Sequence, residues 1–337
     1  MQVVGLKGDF ELSTMPLNAS MEENEFSDVK PVVICCVIVM NITMNSILIA
    51  LLIKFAELRQ DRTVLFMLSL SVSDLAAGCT SMPISAALCS RATPNVRHMA
   101  EYLPKIHMFC MWFFGFASQH SQSWVALSKM IAILRPLKYE QLFSRNRCYG
   151  IIVFNWIVGS VLAASRLALI VEWNNENCSS MPEKNNATVS ILSLLGYAVS
   201  VVLPELALIY ATVQIFIVVV RVHRHVSAQV QSISGGSANS GLVTLKAVRS
   251  ARNILVICFV ALALTVPLLV SAVLRFTVQG KDIVTRVGFY SVWSFYCNSF
   301  LNSFLYIVLH RSLRQKVSIT FVAAYEFMRC RQPRIAT

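Results

Sequence analysis

Two carboxylates lie inside long apolar stretches of this 337-residue chain, Asp74 in LSLSVSDLAAG and Glu205 in SVVLPELALIY. An ionisable group about halfway through a hydrophobic span costs ~2.5 kcal/mol or more, so each must have a partner or a role. Gln119, His120 and Gln122 add a polar cluster in equally apolar surroundings, and such groups usually bond one helix to another. His120 is read as a satisfied structural histidine. No H-E-x-x-H, G-x-S-x-G or carboxylate pair occurs in these stretches, so an intramembrane enzyme is not expected and catalytic residues are none. For Asp74 the residues alone support a water-filled hydrogen-bond network.

The elements that must position these groups follow from composition. With 56% hydrophobic and 14% charged residues, and a mean hydropathy of +0.62, the chain is far from soluble averages. A helical span needs about 20 mostly apolar residues. Seven such stretches occur, roughly 32–53, 64–89, 103–134, 149–171, 189–220, 250–275 and 284–309. They are continuous runs and not the short alternating segments of a transmembrane barrel, and lipid forces such runs to close their backbone bonds internally as helices. A transporter is the alternative of another class. The spans lack the inverted repeat and paired broken helices it would need.

Lys and Arg cluster between alternate spans, from Lys54, Arg59 and Arg62 through Arg135, Arg145 and Arg221 to Arg311 and Arg314, against the acids Glu57, Asp61, Glu140 and Glu326. That side is expected to be cytoplasmic, with the N-terminus outside. The net charge of +12 is then mostly topology, and no nucleic-acid partner is expected. Asn18, Asn177 and Asn186 head glycosylation patterns on the outer side, whereas Asn41-Ile42-Thr43 lies inside a span and is a false match. Of ten cysteines, Cys89, Cys110 and Cys178 reach the oxidising side. Residues 310–337 open with an amphipathic period, Leu313, Val317, Phe321 and Val322 set against Arg311, Arg314 and Lys316. Cys330 beyond it is a palmitoylation candidate or a plain cytosolic thiol.

The run SWVALSKMIAILRPLKY places Ser123, Leu127, Ala132, Ile133, Pro136, Leu137 and Tyr139 at the offsets of S-x3-L…D-R-Y-x-A-I-x-x-P-L-x-Y. It resembles the inner end of the third helix of a rhodopsin-like (class A) G-protein-coupled receptor. Asn45, Asp74, Trp156, Pro204, Pro267 and the run Asn302 to Tyr306 match that family's markers in the other helices. The switch residues depart from it: Ser128, Lys129 and Met130 stand for Asp-Arg-Tyr, Thr265 for the helix-six Trp, Ala261 for the Phe and Ser303 for the helix-seven Pro.

The resemblance implies an all-α membrane protein, a seven-transmembrane helix bundle with a short amphipathic C-terminal helix. The domains expected are an extracellular tail over 1–31, the receptor domain over 32–309 and a cytoplasmic helix and tail over 310–337. It implies a plasma-membrane receptor that transmits extracellular ligand binding to a heterotrimeric G protein through Ser128, Lys129 and Met130, with membrane lipids around it. The alternative is a non-signalling decoy or heteromer partner. No organic cofactor is implied, but a sodium ion is, held by Asp74, Ser118, Asn298 and Asn302. The ligand set implied is Met111, Gly115, Tyr197, Ser200, Leu268, Leu269, Arg275 and Tyr296. Met111 stands eighteen positions before Lys129, where the family's amine receptors carry an Asp, so an amine is not expected; Arg275 and Arg286 at the mouth of the implied pocket point instead to a lipid-like or peptide molecule with an acidic group. Cys178 resembles the loop half-cystine of the family. Its usual partner position is Pro104, so the bridge is to Cys89 or Cys110, or is missing. Because Ser128 cannot pair with Lys129 and the inner part of helix six offers Lys246 and Arg249, no inactive-state lock is expected.

Overall fold

Long apolar runs fold here as helices whose ends are set by proline, by side-chain hydroxyls and by polar turns. The computed structural model describes residues 17–89, 102–169, 172–174, 179–181, 187–232, 238–277 and 281–331. The helices are α1 (Leu17–Lys54), α2 (Thr63–Cys79), α3 (Ser81–Cys89), α4 (Tyr102–Leu134), α5 (Pro136–Leu142), α6 (Arg145–Leu169), α7 (Ala187–Tyr197), α8 (Leu203–Ser232), α9 (Ala238–Thr277), α10 (Lys281–Leu309) and α11 (Arg311–Arg331). A short antiparallel hairpin of β1 (Glu172–Asn174) and β2 (Ser179–Met181) lies between α6 and α7, with Trp173 opposite Ser180. The bundle is the expected all-α one; the hairpin is an addition to it. Helix α1 also begins fifteen residues before Val32, inside the stretch expected as a tail.

Among the described residues, six stretches are apolar and long enough to cross a bilayer: Val32–Lys54, Thr63–Leu88, Arg145–Leu167, Leu194–Val222, Ala251–Leu274 and Tyr290–Leu309. The remaining long helix, α4, has 33 residues, or ~50 Å at about 1.5 Å per residue. It is less apolar because Ser118, Gln119, Ser121, Gln122 and Ser123 are all buried along it. A helix packed between α2, α6 and α8 meets protein where its neighbours meet lipid, so it can carry those groups.

Two spans are broken. Thr80, with φ −127° and ψ −78°, separates α2 from α3, three residues before Pro83, whose ring cannot continue an undistorted ladder. The hydroxyls of Thr80 and Ser81 donate back to the carbonyls of Ala76 and Ala77 at 2.6 and 3.1 Å, satisfying the opened turn. A π-helical turn, Ala198–Val202, joins α7 to α8 just before Pro204, and such widened turns recur at functional sites. Pro267 lies inside α9 without a break. Around it α10 adds side-chain donors, Ser291 to the Pro267 carbonyl and Ser294 to that of Leu264, both at 2.8 Å.

Lipid tails are as apolar as leucine, so water does not drive these helices together. Close packing and buried hydrogen bonds do, the latter at ~0.6 kcal/mol each on average. Asn41 Nδ2 donates to the Asp74 carbonyl at 2.9 Å and Asn45 Oδ1 accepts from Ser303 Oγ at 2.6 Å, fastening α1 to α2 and α10. Asn41 is wholly buried, in keeping with its glycosylation pattern being a false match. Gly78 lets α1 approach: a Cβ there would lie 2.6 Å from Asn41 Nδ2. Trp156 Nε1 donates to Ser69 Oγ (3.1 Å), which pairs with Ser121 Oγ (2.9 Å), joining α6, α2 and α4.

One apolar cluster, with Leu48, Phe66, Leu70, Val125, Tyr306 and Leu313, fills the end of the bundle where the basic residues gather. There α11 docks through Leu313, and Lys316 pairs with Glu57 at 2.9 Å while lying over the Phe55 ring.

Candidate functional site

Three groups of residues, one at each level of the bundle, carry polar or charged chemistry. At the end opposite the basic residues, the family-derived ligand set is spread over α4, α7, the π turn, α9 and α10. Phe295 fills the space beside Gly115, its ring 3.4 Å from where a Cβ would stand. Tyr296 is buried, packs with Leu268 and Phe295, and has its hydroxyl 3.4 Å from His107 Nε2. Ser200 is buried and Met111, Tyr197 and Leu269 are half-buried. The Arg275 and Arg286 side chains lie outside the described residues.

Arg166, in the last turn of α6, turns into the bundle instead of reaching outward to the membrane surface. It is only 8% exposed and its guanidinium stacks between Trp112 and Tyr197, 4.5 and 4.6 Å from the two ring centroids. A desolvated cation over two rings gains ~2 kcal/mol or more, which outweighs a stretch to the headgroups. Gly196 leaves room for it, since a Cβ there would fall 2.8 Å from Arg166 Nη2. Nothing in the spacing of the sequence signals this contact.

At mid-membrane, Ser118 Oγ donates to Asp74 Oδ1 at 2.7 Å, while Asp74 Oδ2 has no hydrogen-bond partner. Asn298 and Asn302 join this level, but their amides are engaged by a residue the sodium set omits. Asn298 Nδ2 donates to Gln122 Oε1 (3.0 Å) and Gln122 Nε2 donates to Asn302 Oδ1 (3.1 Å), so one glutamine bridges two turns of α10. Asn298 Oδ1 and Asn302 Nδ2 are left unpartnered. One helical turn earlier on α4, Gln119 Nε2 donates to Glu205 Oε1 at 2.8 Å. Thr265 stands beside the same carboxyl, its own hydroxyl donated to the Ala261 carbonyl at 2.9 Å. The polar cluster of α4 therefore does bond helices together, to α8 and to α10. His120 stays on its own helix, stacked on Phe116 with Nδ1 3.1 Å from that residue's carbonyl.

The basic end holds the third group and a correction. Lys129, for which no acid was expected, pairs with Asp61 from the turn between α1 and α2. Asp61 Oδ1 also accepts from the Thr63 backbone N–H at 3.0 Å and from the Tyr139 hydroxyl at 2.9 Å. Ser128 is wholly buried and donates to Thr63 Oγ1 at 3.1 Å. Met130, its neighbour but one, packs instead into the apolar cluster with Leu255, Ala251 and Ile215. Burial would raise the Asp61 carboxyl, but the Lys129 charge and the hydrogen bonds from Lys129, Thr63 and Tyr139 outweigh it and hold it at about 2. Burial, with Asp61 nearby, pushes the Tyr139 phenol up to about 12. A cleft of about 280 Å³ opens beside the pair, lined by Leu52, Gln60, Met67, His310 and Ser312. The sequence held one signal for the pair, the small number of acids on the basic side.

Of the remaining residues, Cys110 is a free, half-buried thiol. Cys178, Asn177 and Asn186 lie outside the described residues, as do the side chains of Asn18, Cys89 and Cys330. Lys246 and Arg249 fall on α9 with undescribed side chains.

Residues 44–306 match the model of the 7 transmembrane receptor (rhodopsin family). The chain is similar to the histamine H2 receptor of Homo sapiens, 26% identical over 299 residues that cover 84% of this chain and 76% of that receptor. Trace amine-associated receptor 5 of Mus musculus is 22% identical over 85% of this chain and 82% of its own length, and trace amine-associated receptor 365 of Petromyzon marinus is 22% identical over 86% and 80%. A match over this much of the bundle, with Asp74 joined to Ser118 and Lys129 on the central helix at its basic end, makes the chain a multi-pass membrane protein and a member of the rhodopsin family of seven-transmembrane receptors.

Proposed function

We propose that this receptor sits in the plasma membrane with its N-terminus outside and passes the binding of an extracellular ligand to a heterotrimeric G protein at the basic end. The observation that carries this reading is Lys129, which stands in the last turns of the central helix beside an open cleft at the position matching the family's arginine. An ammonium there can meet backbone carbonyls of a partner as a point charge, though without the guanidinium fork. The excess of Lys and Arg at that end supports its facing the cytosol.

The relatives' names carry histamine and trace amines, but the anchor for a cationic amine is missing here, with Met111 in its place. The ligand proposed is a lipid-like or peptide molecule with an acidic group. Arg275 and Arg286 by sequence, and Arg166 against Tyr197, supply positive charge around the pocket. In a binding screen on membranes of expressing cells, acidic lipids and peptides should bind, and Arg275→Ala should weaken them roughly tenfold, the loss of ~1.4 kcal/mol expected for one charge-assisted bond. A tight-binding cationic amine, indifferent to Arg275→Ala, would contradict this.

A sodium ion fits the mid-membrane level. A hard monovalent cation wants oxygen donors, and Asp74 Oδ2, on the carboxyl that Ser118 bonds and Ser299 stands beside, and Asn298 Oδ1 are buried acceptors without partners. Asn302 offers less, its oxygen being taken by Gln122. The melting temperature in detergent should rise with sodium and not with potassium, and Asp74→Asn should abolish the difference. Equal melting in both salts for the native receptor would leave a plain hydrogen-bond network.

A further inference from the structure

We infer that Asp61 and Tyr139 form a relocated lock on Lys129, in which the turn before α2 supplies the acid that the central helix lacks, and that this contact holds the basic end of the receptor closed. The inference rests on the proposed coupling at that end.

Three observations carry it. The position next to Lys129 that would hold an acid is Ser128, and its hydroxyl is committed to Thr63 and to the Val125 carbonyl. The charge that faces Lys129 therefore comes from the turn that leads into α2, and such a pair ties α4 to the start of α2 where a pair within α4 could not. Second, the acid is itself positioned: Thr63 N–H and the Tyr139 hydroxyl fix Oδ1, leaving Oδ2 for Lys129. Tyr139 comes from α5, so the clamp spans three elements. Third, the pair is partly withdrawn from solvent, Lys129 being 19% and Asp61 39% exposed, unlike the outward pair of Lys316 with Glu57, where the acid is 76% exposed. An exposed ion pair is worth little; a partly buried and hydrogen-bonded one resists removal of either member.

The mechanical consequence follows from the order of residues on α4. Ser128 and Lys129 are drawn toward α2, while Met130 is seated among Leu208, Ala211, Leu255 and Ala251 of α8 and α9. Fixing the rotation of α4 on one side fixes the seat of Met130 on the other. Release of Lys129 frees that seat and makes its ammonium available to a partner. The Asp61 carboxyl is depressed to about 2, so its own titration leaves the contact intact above the ordinary carboxylate range and removes it only as pH falls toward 2; His310, beside the pair, is held below the ordinary imidazole range by burial and by the Lys129 charge.

The test separates the lock from coupling. Receptor in lipid nanodiscs carries nitroxide labels at Arg147 and Arg252, both exposed at the basic end of α6 and α9, with the exposed Cys35, Cys36 and Cys79 replaced by serine. Pulsed dipolar spectroscopy reads the distance with no G protein present, and nucleotide exchange on a panel of G proteins is read separately. Asp61→Asn should shift a tenth or more of the population to longer distances, Tyr139→Phe should shift less, and the reversal Asp61→Lys with Lys129→Asp should move the distribution only part of the way back, because a lysine at 61 cannot accept from Thr63 N–H and the Tyr139 hydroxyl. Unchanged distances in Asp61→Asn overturn the lock, whatever the exchange assay gives. Longer distances with no exchange on any G protein leave the lock standing and remove the coupling on which its purpose rests.

Discussion

Replacing Gln119 by leucine should destabilise the receptor by on the order of 3 kcal/mol, because it strands a carboxyl in the membrane interior. Glu205 is 1% exposed, Gln119 Nε2 is its donor at 2.8 Å, and its Oε2 already lacks a partner. Leucine fills a similar volume, so the loss comes from the polar group left behind and not from a void. The double change Gln119→Leu with Glu205→Leu should recover most of the loss, since a fully apolar pair of similar volume has nothing left to satisfy. Glu205→Gln should match or exceed the native protein. Its carbonyl keeps the Gln119 bond, and its amide offers Thr265 Oγ1 the donor that a carboxylate cannot. Apparent melting temperatures of the four proteins in one detergent check this, with surface expression as a second readout. A double variant as unstable as Gln119→Leu alone would mean that the shape of the site, not the stranded carboxyl, sets the cost.

The same contact bears on how motion is passed through the bundle. Where the resemblance leads one to expect a tryptophan and a phenylalanine in α9, Thr265 and Ala261 stand instead, both fully buried. The junction of α4, α8 and α9 is polar, held by Gln119 and Glu205 and by Ser123 Oγ, which donates to the Pro204 carbonyl at 2.8 Å. Hydrogen bonds have direction and break at a threshold, which suits a junction with two discrete arrangements.

The spans were legible because a run of about 20 apolar residues has few other uses, and α4 was legible as a span although its buried serines and glutamines lower its hydropathy. The Asp74 to Ser118 contact was legible from the resemblance. That Gln122 would take both Asn298 and Asn302 was not, because the sequence marks a polar residue in a span without saying which neighbour it faces. The Asp61 to Lys129 contact was illegible for a related reason: the two are 68 residues apart, and spacing along α4 does not say which turn of another element packs against it. The break at Thr80 had a local signal in Pro83, whereas the inward turn of Arg166 depends on rings from α4 and α7 meeting at one level. Contacts along one helix follow from spacing. Contacts between helices depend on rotation and depth, which spacing leaves open.

The central claim is that Lys129 is the residue through which this receptor reaches a G protein. It is tested most directly by nucleotide exchange on purified G proteins, with receptor in nanodiscs at matched concentration and no ligand. The native protein should be nearly silent, with Lys129 held by Asp61. Asp61→Asn should raise exchange on at least one class of G protein several-fold, ~1 kcal/mol or more in favour of the open state. Adding Lys129→Ala to Asp61→Asn should return exchange to the native level, although the lock is still broken, while adding Lys129→Arg should preserve it. Exchange that rises with Asp61→Asn and persists in the double variant with Lys129→Ala would contradict the account, because the partner would then be met by other residues.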